Sequence, residues 1–193
     1  PRAQTRGQYQ KLALALAISA VSGAVYAGPQ NGVVTDGNAN IQHHGNTTNI
    51  NQHSQNTTIV WDNFDINVDE VVNFLQPNSD SLALNRVLSA DGTQINGLLN
   101  ANGRVFVLDA NGVLFGQDAS VNVGSLVAST LAVSHDNYQD FTFTGDGAPA
   151  AVLNFGDITA ADTGAVALLG GRVSNHGVIQ ARMGNVALAA GNQ

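Results

Sequence analysis

Short apolar runs alternate along this chain with corners rich in asparagine and glycine. Three Asn-Gly pairs stand in the middle of the chain, at Asn96-Gly97, Asn102-Gly103 and Asn111-Gly112, each followed by a short run containing Val, Leu or Phe. Asn-Gly tolerates the left-handed backbone of a tight turn, whereas β-branched and aromatic residues favour strands. The pattern therefore predicts an all-β chain of many short strands joined by frequent corners.

The same pattern returns downstream at an interval of 20 to 21 residues. Asn-Phe-Gly-Asp-Ile at 154–158 returns as Asn-His-Gly-Val-Ile at 175–179, and Gly-Ala-Val-Ala-Leu at 164–168 returns as Gly-Asn-Val-Ala-Leu at 184–188. Self-similarity at this interval is typical of a solenoid in which each repeat forms one turn. Leucine-rich repeats have a similar length, but their Leu-x-x-Leu-x-Leu framework is absent from the sequence. We therefore predict a right-handed, single-stranded parallel β-helix.

The repeats also predict which side chains face the interior. In a coil of stacked strands, every second residue points into a narrow core. The expected inward residues are Val166, Leu168, Val186 and Leu188. The small residues expected to point outward or to fill tight places are Ala165, Ala167, Ala187 and Ala189. Asn154 and Asn175 recur where a side-chain amide can cap the backbone of a corner, which predicts a structural role.

Two segments depart from the coil pattern. Residues 28–58 are rich in Asn, Gln, Thr and Gly with few apolar positions, and we expect short strands there that form a polar cap over the first coil. From 134 to 150 the pattern is interrupted, and the alternation Phe141-Thr142-Phe143-Thr144 predicts a hairpin that projects from the coil.

The N-terminal segment has the features of a secretory signal peptide. Arg2, Arg6 and Lys11 precede an apolar run over residues 12–21, which is shorter than the roughly 20 residues that span a bilayer. Small residues then favour signal-peptidase cleavage after Ala27, with Ala24 as the alternative. We expect residues 1–27 to be this peptide, recognised by the Sec machinery, and residues 28–193 to be one domain at the start of a longer exported protein. A buried or amphipathic helix is the competing interpretation.

Composition beyond residue 27 excludes several classes of partner. Four Arg, no Lys and fourteen Asp or Glu leave a formal charge of −10. Such a surface repels phosphate backbones and anionic membranes, so we predict no nucleic-acid binding. The chain has no cysteine although export predicts an oxidising compartment, which is compatible with a chain that crosses a second membrane without disulfides.

Candidate chemistry along the chain is sparse. His43, His44 and His53 could hold a metal, but no cysteine or carboxylate stands at ligand spacing, so surface histidines are the better interpretation. Asp157 and Asp162 could form the carboxylate pair of a polysaccharide-degrading β-helix, yet the cations that bind acidic sugars are missing around them. We predict no catalytic residue, no metal site and no cofactor, and hence a protein that is not an enzyme.

Six motifs carry a family resemblance. They are Thr-Ile-Val-Trp-Asp-Asn-Phe-Asp-Ile at 58–66, Val-Asn-Phe-Leu-Gln-Pro at 72–77, Leu-Asn-Arg-Val at 84–87, Asn-Gly-Arg-Val-Phe-Val-Leu at 102–108, Asn-Gly-Val-Leu-Phe-Gly at 111–116 and Leu-Val-Ala-Ser-Thr-Leu at 126–131. In this order they resemble the secretion domain of two-partner secretion exoproteins, the filamentous-haemagglutinin N-terminal family. The similarity is greatest to the branch of high-molecular-weight adhesins and runs from roughly residue 30 to 193.

The resemblance implies a bacterial partner and a route of export. A protein of this family is exported by Sec and then recognised by the POTRA domains and barrel of an outer-membrane TpsB-type transporter. Its β-helix would then nucleate folding outside the cell, with the protein secreted or held at the surface of a Gram-negative bacterium. The downstream passenger would be an adhesin, a cytolysin or a contact-dependent toxin, of which an adhesin that contacts host or matrix glycans is the favoured interpretation. The alternative is that the domain is itself a glycan-binding adhesin module.

The resemblance also singles out candidate residues for transporter recognition, namely Asn85, Arg86, Asp109, Asn111 and Gly112. The family usually has Asn-Pro-Asn-Gly where this chain has Asp109-Ala110-Asn111-Gly112. Asp109 can still cap a corner through its side chain, and Ala110 loses only the rigidity of Pro. The competing interpretation of all these candidates is that they hold corners of the coil and affect export only through folding.

Overall fold

The computed structural model describes residues 28–145, 147 and 149–191, so the expected signal peptide and its cleavage site at Ala27 or Ala24 lie outside the described part. Every regular element in that part is a strand. The strands are β1 (Val33–Asp36), β2 (Ala39–His44), β3 (Thr47–Gln52), β4 (Asn56–Trp61), β5 (Val71–Leu75), β6 (Leu82–Val87), β7 (Thr93–Ile95), β8 (Leu98–Ala101), β9 (Arg104–Asp109), β10 (Val113–Phe115), β11 (Ser120–Val123), β12 (Ser125–Ser129), β13 (Ala132–Asp136), β14 (Gln139–Thr144), β15 (Ala151–Asn154), β16 (Asp157–Ala160), β17 (Ala165–Gly170), β18 (Arg172–Asn175), β19 (Val178–Ala181) and β20 (Asn185–Ala190). Among these residues, no helix is long and apolar enough to cross a membrane.

Apart from β13 and β14, the strands form three sheets along the coil. Sheet 1 has the order β1-β4-β6-β9-β12-β17-β20, sheet 2 the order β18-β15-β10-β7, and sheet 3 the order β19-β16-β11-β8-β5-β3-β2. The chain passes from sheet 2 to sheet 3 to sheet 1 and then begins the next turn, for example through β7, β8 and β9. About six such turns stack into a parallel β-solenoid, which confirms the predicted β-helix.

The interior of the coil is a continuous apolar column. Successive turns pair in parallel register, so Val105, Leu126 and Val166 lie one above another on sheet 1. The predicted inward residues Val166 and Leu168 are buried, and Ala165 and Ala167 alternate outward. In the last described turn, Val186 and Leu188 pair with Val166 and Leu168 but are half exposed, because no further described turn covers them.

The N-terminal end of the coil is closed by two reversed strands. β1 pairs antiparallel with β4, and β2 pairs antiparallel with β3, so both strands lie at edges of the parallel sheets. Val34 and Ile41 from these strands pack against the end of the core. This arrangement confirms the predicted cap, in which polar strands cover an end that would otherwise expose apolar side chains and unpaired backbone.

The predicted projecting hairpin is also present. β13 and β14 pair antiparallel outside the coil, beginning two residues earlier than expected, at Ala132. Val133, Phe141 and Phe143 of this hairpin pack on the outer face of sheet 1, where they help to bury Leu82, Leu84, Phe106 and Leu108. Sheet 1 is therefore covered on both faces over β6 and β9.

Two of the three asparagine-glycine pairs differ from the expected backbone conformation. All three pairs lie at or beside corners, but only Gly112 has a positive φ, of 134°. At Gly97 and Gly103 the prediction of a left-handed backbone was wrong. A β-carbon at Gly103 would lie 2.7 Å from the carbonyl oxygen of Ser81, one turn below. These glycines allow the corners of neighbouring turns to approach closely.

The close approach continues as a column at the corner from sheet 3 to sheet 1. The column consists of Gly103, Gly124, Gly164 and Gly184. A β-carbon at any of the last three would collide with the carbonyl oxygen of the glycine one turn earlier, and Gly124 also donates its N–H to the Gly103 oxygen at 2.9 Å. The stacking distance of the coil therefore excludes a side chain at this corner.

Replacing Gly124 by alanine should lower the free energy of unfolding by about 1 to 3 kcal/mol, because the new methyl group would lie 2.6 Å from the Gly103 oxygen. Gly191→Ala is the matched control, since its β-carbon meets no atom within 4 Å. Urea unfolding of both variants measures the difference. Equal stabilities would show that the corner column tolerates a side chain.

Candidate functional site

The candidate residues for transporter recognition lie near one corner in two consecutive turns. β6 and β9 are neighbours in sheet 1, and both run into the corner that leads to sheet 2. Arg86 pairs with Leu108, and Val87 with Asp109, so the end of β6 lies directly below the end of β9. The fold thus brings Asn85, Arg86 and the 109–112 turn to one edge of the coil.

Asn85 lies within β6 and points into the coil, where it is fully buried. Its Oδ1 accepts a hydrogen bond from the indole Nε1 of Trp61 at 2.9 Å, and its Nδ2 donates to the carbonyl of Phe106 at 3.1 Å. A buried amide whose donor and acceptor are both used ties three turns together. In the folded domain this side chain is not available to a partner.

Arg86, the next residue, points to the opposite side of β6. Its Nη2 donates a hydrogen bond to the carbonyl of Val133 at 3.3 Å, at the base of the projecting hairpin. The side chain is partly exposed, so it can fasten the hairpin and still present charge to solvent. Neither Asn85 nor Arg86 holds a corner, because both lie inside a strand.

Asp109 ends β9 and is buried, with both of its oxygens engaged. Oδ1 accepts the N–H of Asn111 at 2.9 Å, and Oδ2 accepts the hydroxyl of Thr93, one turn below, at 2.8 Å. The expected capping role of Asp109 is therefore confirmed. Burial raises the pKa of this carboxyl above its ordinary value and outweighs the two hydrogen bonds, which lower it, and the nearby Asp65 raises it further.

Asn111 and Gly112 complete the corner. The Nδ2 of Asn111 donates to the carbonyl of Ser89 at 2.7 Å, which joins the corner to the equivalent corner one turn below. Gly112 accepts the N–H of Thr93 on its carbonyl at 2.9 Å, and its positive φ is one that a residue with a side chain rarely adopts. Asn111 is exposed, so it is the member of this corner whose side chain a partner could reach.

The other corners use asparagine in the predicted structural way. Asn154 is fully buried, accepts the N–H of Gly156 at 3.2 Å and donates to the Oδ1 of Asn175, one turn above, at 2.7 Å. The Nδ2 of Asn154 also donates to the carbonyl of Gly156 at 3.2 Å, and the Nδ2 of Asn175 repeats this bond by donating to the carbonyl of Gly177 at 3.3 Å. These amides satisfy corner backbone groups and continue from turn to turn.

The residues considered for metal or catalytic chemistry are placed apart or otherwise engaged. His43 lies 2.9 Å from the Thr48 hydroxyl, and His53 lies 3.3 Å from the Asn40 amide. No group of three possible ligands among His, Asp and Glu occurs in the described ranges. Asp162 is held by Arg182 through two contacts of 2.8 Å on the surface.

A second surface, which the sequence did not reveal, lies on the outer face of sheet 3. Four asparagines from successive turns form a ladder, in which Asn73 donates to Asn49 at 2.9 Å, Asn100 to Asn73 at 2.9 Å and Asn122 to Asn100 at 3.5 Å. A groove of about 570 Å³ runs beside them. A smaller groove of about 280 Å³ continues it past Asn122, and no residue lining either groove is charged.

A third feature joins two parts of the chain that are far apart in sequence. The hydroxyl of Tyr138, at the tip of the hairpin, donates to the Oδ2 of Asp36 in β1 at 2.6 Å and also meets the Thr58 hydroxyl at 2.6 Å. The hydrogen bond from Tyr138 lowers the pKa of Asp36, and burial raises the pKa of Tyr138. The dipeptide Asn137-Tyr138 inside an interrupted stretch was the available sequence signal for a turn.

Asp109→Asn should leave the stability of the domain at pH 7 unchanged or raise it. The amide oxygen still accepts the Asn111 N–H, while the free energy required to bury a charge disappears. Asp109→Ala loses both hydrogen bonds and should destabilise the domain by about 1 to 3 kcal/mol. Chemical denaturation of the three proteins at pH 7 measures these differences.

The pH dependence provides the control. Because the pKa of Asp109 is higher in the folded than in the unfolded chain, its folded state holds the proton more tightly. The wild type should therefore lose stability relative to Asp109→Asn as pH rises from the ordinary value of 3.8 through the raised pKa. A difference between the two proteins that stays constant across this range would contradict a buried, destabilising charge.

Residues 26–193 match the family model described as the TPS secretion domain. Among curated proteins, a heme/hemopexin-binding protein of Haemophilus influenzae is 37% identical over 189 residues, covering 90% of this chain and 21% of that protein. A second protein of the same name and species is 35% identical over 134 residues, covering 66% of this chain and 14% of that protein. The chain thus spans about a fifth or less of the length of these relatives.

The similarity extends to three dimensions. The crystal structure of the HMW1 secretion domain from Haemophilus influenzae matches with a TM-score of 0.79 and 40% sequence identity, over 86% of this chain and 45% of that chain. This result agrees with the predicted similarity to the high-molecular-weight adhesin branch. Domains of this kind work with TpsB-type outer-membrane transporters, and proteins that carry them are secreted by the two-partner route. The chain described here belongs to the TPS secretion domain family.

Proposed function

We propose that this domain directs the export of a longer exoprotein, through recognition by the POTRA domains of a TpsB-type barrel, and then nucleates β-helix folding outside the cell. The observation that carries the proposal is the match of the TPS secretion domain family to residues 26–193, almost the whole chain. The solenoid architecture supports it, because each turn contacts mainly its neighbours and can be added in sequence as the chain emerges.

The two ends of the coil support the nucleation part of the proposal. At the N-terminal end, reversed strands cover the first turns. At the other end, Val186 and Leu188 present a half-exposed apolar surface in register with the buried Val166 and Leu168. A further turn of chain placed on this surface would bury it, and the free energy gained would oppose backward sliding through the transporter.

The N-terminal segment has a place in the same proposal. Residues 1–27 would act as the Sec signal peptide, cleaved after Ala27 or Ala24 by signal peptidase. The family match, which begins at residue 26, supports a domain boundary close to Ala27. For the passenger we propose an adhesin, and the name shared by the two curated relatives adds heme or hemopexin capture as a second candidate.

A reporter fused after residue 193 tests the export function. We expect the fusion in the culture medium when the partner barrel is co-expressed, and in the periplasm when the barrel is absent. Export without the barrel would contradict the proposal. A barrel with its POTRA domains deleted separates recognition from passage through the pore.

Variants of the corner distinguish recognition from folding. Asn111→Ala and Arg86→Gln alter reachable side chains, whereas Asn85→Ala alters a fully buried one. Direct recognition predicts that Asn111→Ala reduces export while the purified variant keeps its melting temperature to within a few degrees. Asn100→Ala is the matched control on another face. If export decreases only in parallel with stability, the corner acts through folding alone.

A second candidate function is a glycan-binding adhesin module, and the uncharged groove on sheet 3 favours it. Side-chain amides both donate and accept hydrogen bonds, as sugar hydroxyls require, and the ladder repeats them at each turn. The exposed Leu75 adds an apolar contact within the groove. A neutral polysaccharide suits such a surface because no charge lines it.

Binding of the purified chain to an array of neutral glycans tests this candidate. We expect Asn100→Ala to weaken binding by roughly fivefold to tenfold, because it removes one rung of the ladder and its hydrogen bonds. Asn111→Ala, on a different face, should bind as the wild type does. No binding to any glycan on the array would exclude this candidate and leave the export function unaffected.

A further inference from the structure

The tip of the projecting hairpin has an unfavourable backbone conformation. Asp136 pairs with Gln139, so the turn has two central residues, Asn137 and Tyr138, with φ of 45° and 59°. A two-residue hairpin turn with both φ values positive strongly favours Asn-Gly. Tyrosine occupies the glycine position here, although a bulky side chain makes that conformation costly. A tyrosine in this conformation therefore indicates that its side chain makes contacts that outweigh this cost.

The side chain of Tyr138 is engaged along its whole length. Its ring stacks on His135 with centroids 4.5 Å apart, and its N–H donates to the His135 Nδ1 at 3.2 Å. Its hydroxyl donates to the Asp36 carboxylate at 2.6 Å and accepts from the Thr58 hydroxyl at 2.6 Å. Asp36 and Thr58 are paired residues of β1 and β4, so the tyrosine contacts the strand pair that forms part of the cap.

The hairpin reaches this position by crossing the outer face of sheet 1. The ring of Phe141 packs against Phe106 of β9 in a tilted arrangement with centroids 4.9 Å apart, and Arg86 of β6 donates to the carbonyl of Val133. From its base beyond β12, the hairpin therefore passes over β9 and β6 and ends at β4 and β1. These intermediate contacts hold the hairpin in place, whereas the tip contacts the reversed strand itself.

We propose that the hairpin formed by β13 and β14 is a latch that holds the N-terminal cap closed. The hydrogen bond from the Tyr138 hydroxyl to the Asp36 carboxylate is the contact that fastens it. β1 is an edge strand with a bulge between Val34 and Asp36 and has a paired neighbour on one side only. The Tyr138 contact gives this strand a second attachment, 102 residues away in the chain. The cap is therefore secured by a segment that belongs to a later part of the coil.

The latch sets the order in which the domain can be completed. In a chain delivered N-terminus first, β1 pairs with β4 early but stays unlatched until residue 138 has emerged. This statement about timing rests on the proposed export function. The contact itself does not, because it can be measured on the purified chain without a transporter.

Amide hydrogen exchange of the purified chain tests the latch. Tyr138→Phe removes only the hydroxyl, and Tyr138→Gly relieves the turn but removes the whole side chain. We expect the β1 amides to exchange on the order of tenfold faster in Tyr138→Phe, and faster still in Tyr138→Gly, with β16 to β20 unchanged. Thr144→Ala, an exposed hydroxyl at the base of the same hairpin, should leave β1 unchanged.

A double-mutant cycle supplies the second measurement. Asp36→Ala combined with Tyr138→Phe should accelerate β1 exchange by less than the product of the two single effects, since both remove the hydrogen bond between the two side chains. Unchanged β1 exchange in both Tyr138 variants would overturn the latch. Equal acceleration in every strand, or independent effects in the cycle, would also overturn it and leave the tyrosine a general stabilising role.

Discussion

Parallel backbone hydrogen bonding between successive turns is the constraint on which this structure depends. It holds neighbouring strands about 4.8 Å apart and places each residue on its counterpart one turn below. A requirement at one position therefore becomes a requirement on a whole column. The inward aliphatics, the outward asparagines of sheet 3 and the glycines at the corner from sheet 3 to sheet 1 are three such columns. The repeat in the sequence arises because equivalent positions in successive turns lie one above another and meet the same requirement.

The parallel sheets end differently at the two ends of the coil. A parallel ladder has unpaired backbone and apolar side chains at both ends. At the N-terminal end, β1 and β2 reverse direction, so the parallel ladder gives way to antiparallel pairs with polar outer residues. In the last described turn, β20 keeps the parallel direction and the inward register. The two ends are therefore chemically different, which gives the domain a polarity along its axis.

The sequence predicted those features that depend on local periodicity. The interval between the last two repeats identified Val166 and Leu168 as core residues, and the interruption after residue 134 identified the hairpin. Asn85 was harder to place because sheet 1 is buried on both faces there. Leu82 and Leu84 lie under the hairpin while Ala83 and Val87 face the core, so alternation no longer distinguishes inside from outside.

Long-range polar contacts and the reason for each glycine could not be predicted. Nothing near Asp36 indicates that Tyr138 lies beside it, because the path of the hairpin over sheet 1 decides that meeting. Likewise, the Asn-Gly pairs marked corners correctly but did not reveal that Gly103 serves close packing and Gly112 a positive φ. Both distinctions depend on what lies one turn away, which a single repeat does not encode.

The hairpin shows where such a fold tolerates change. The chain leaves the coil after β12 and returns at β15, which pairs in register with β10 despite the intervening residues 130–150. Since this excursion begins and ends where an ordinary corner would stand, the coil accommodates an insertion here without a change in the register of the neighbouring turns. By contrast, the glycine column does not accommodate even one added methyl group without a shift of the neighbouring turn. Diversity among domains of this architecture is therefore expected to accumulate as insertions at the corner from sheet 1 to sheet 2, where new surface can arise while the pitch of the coil stays fixed.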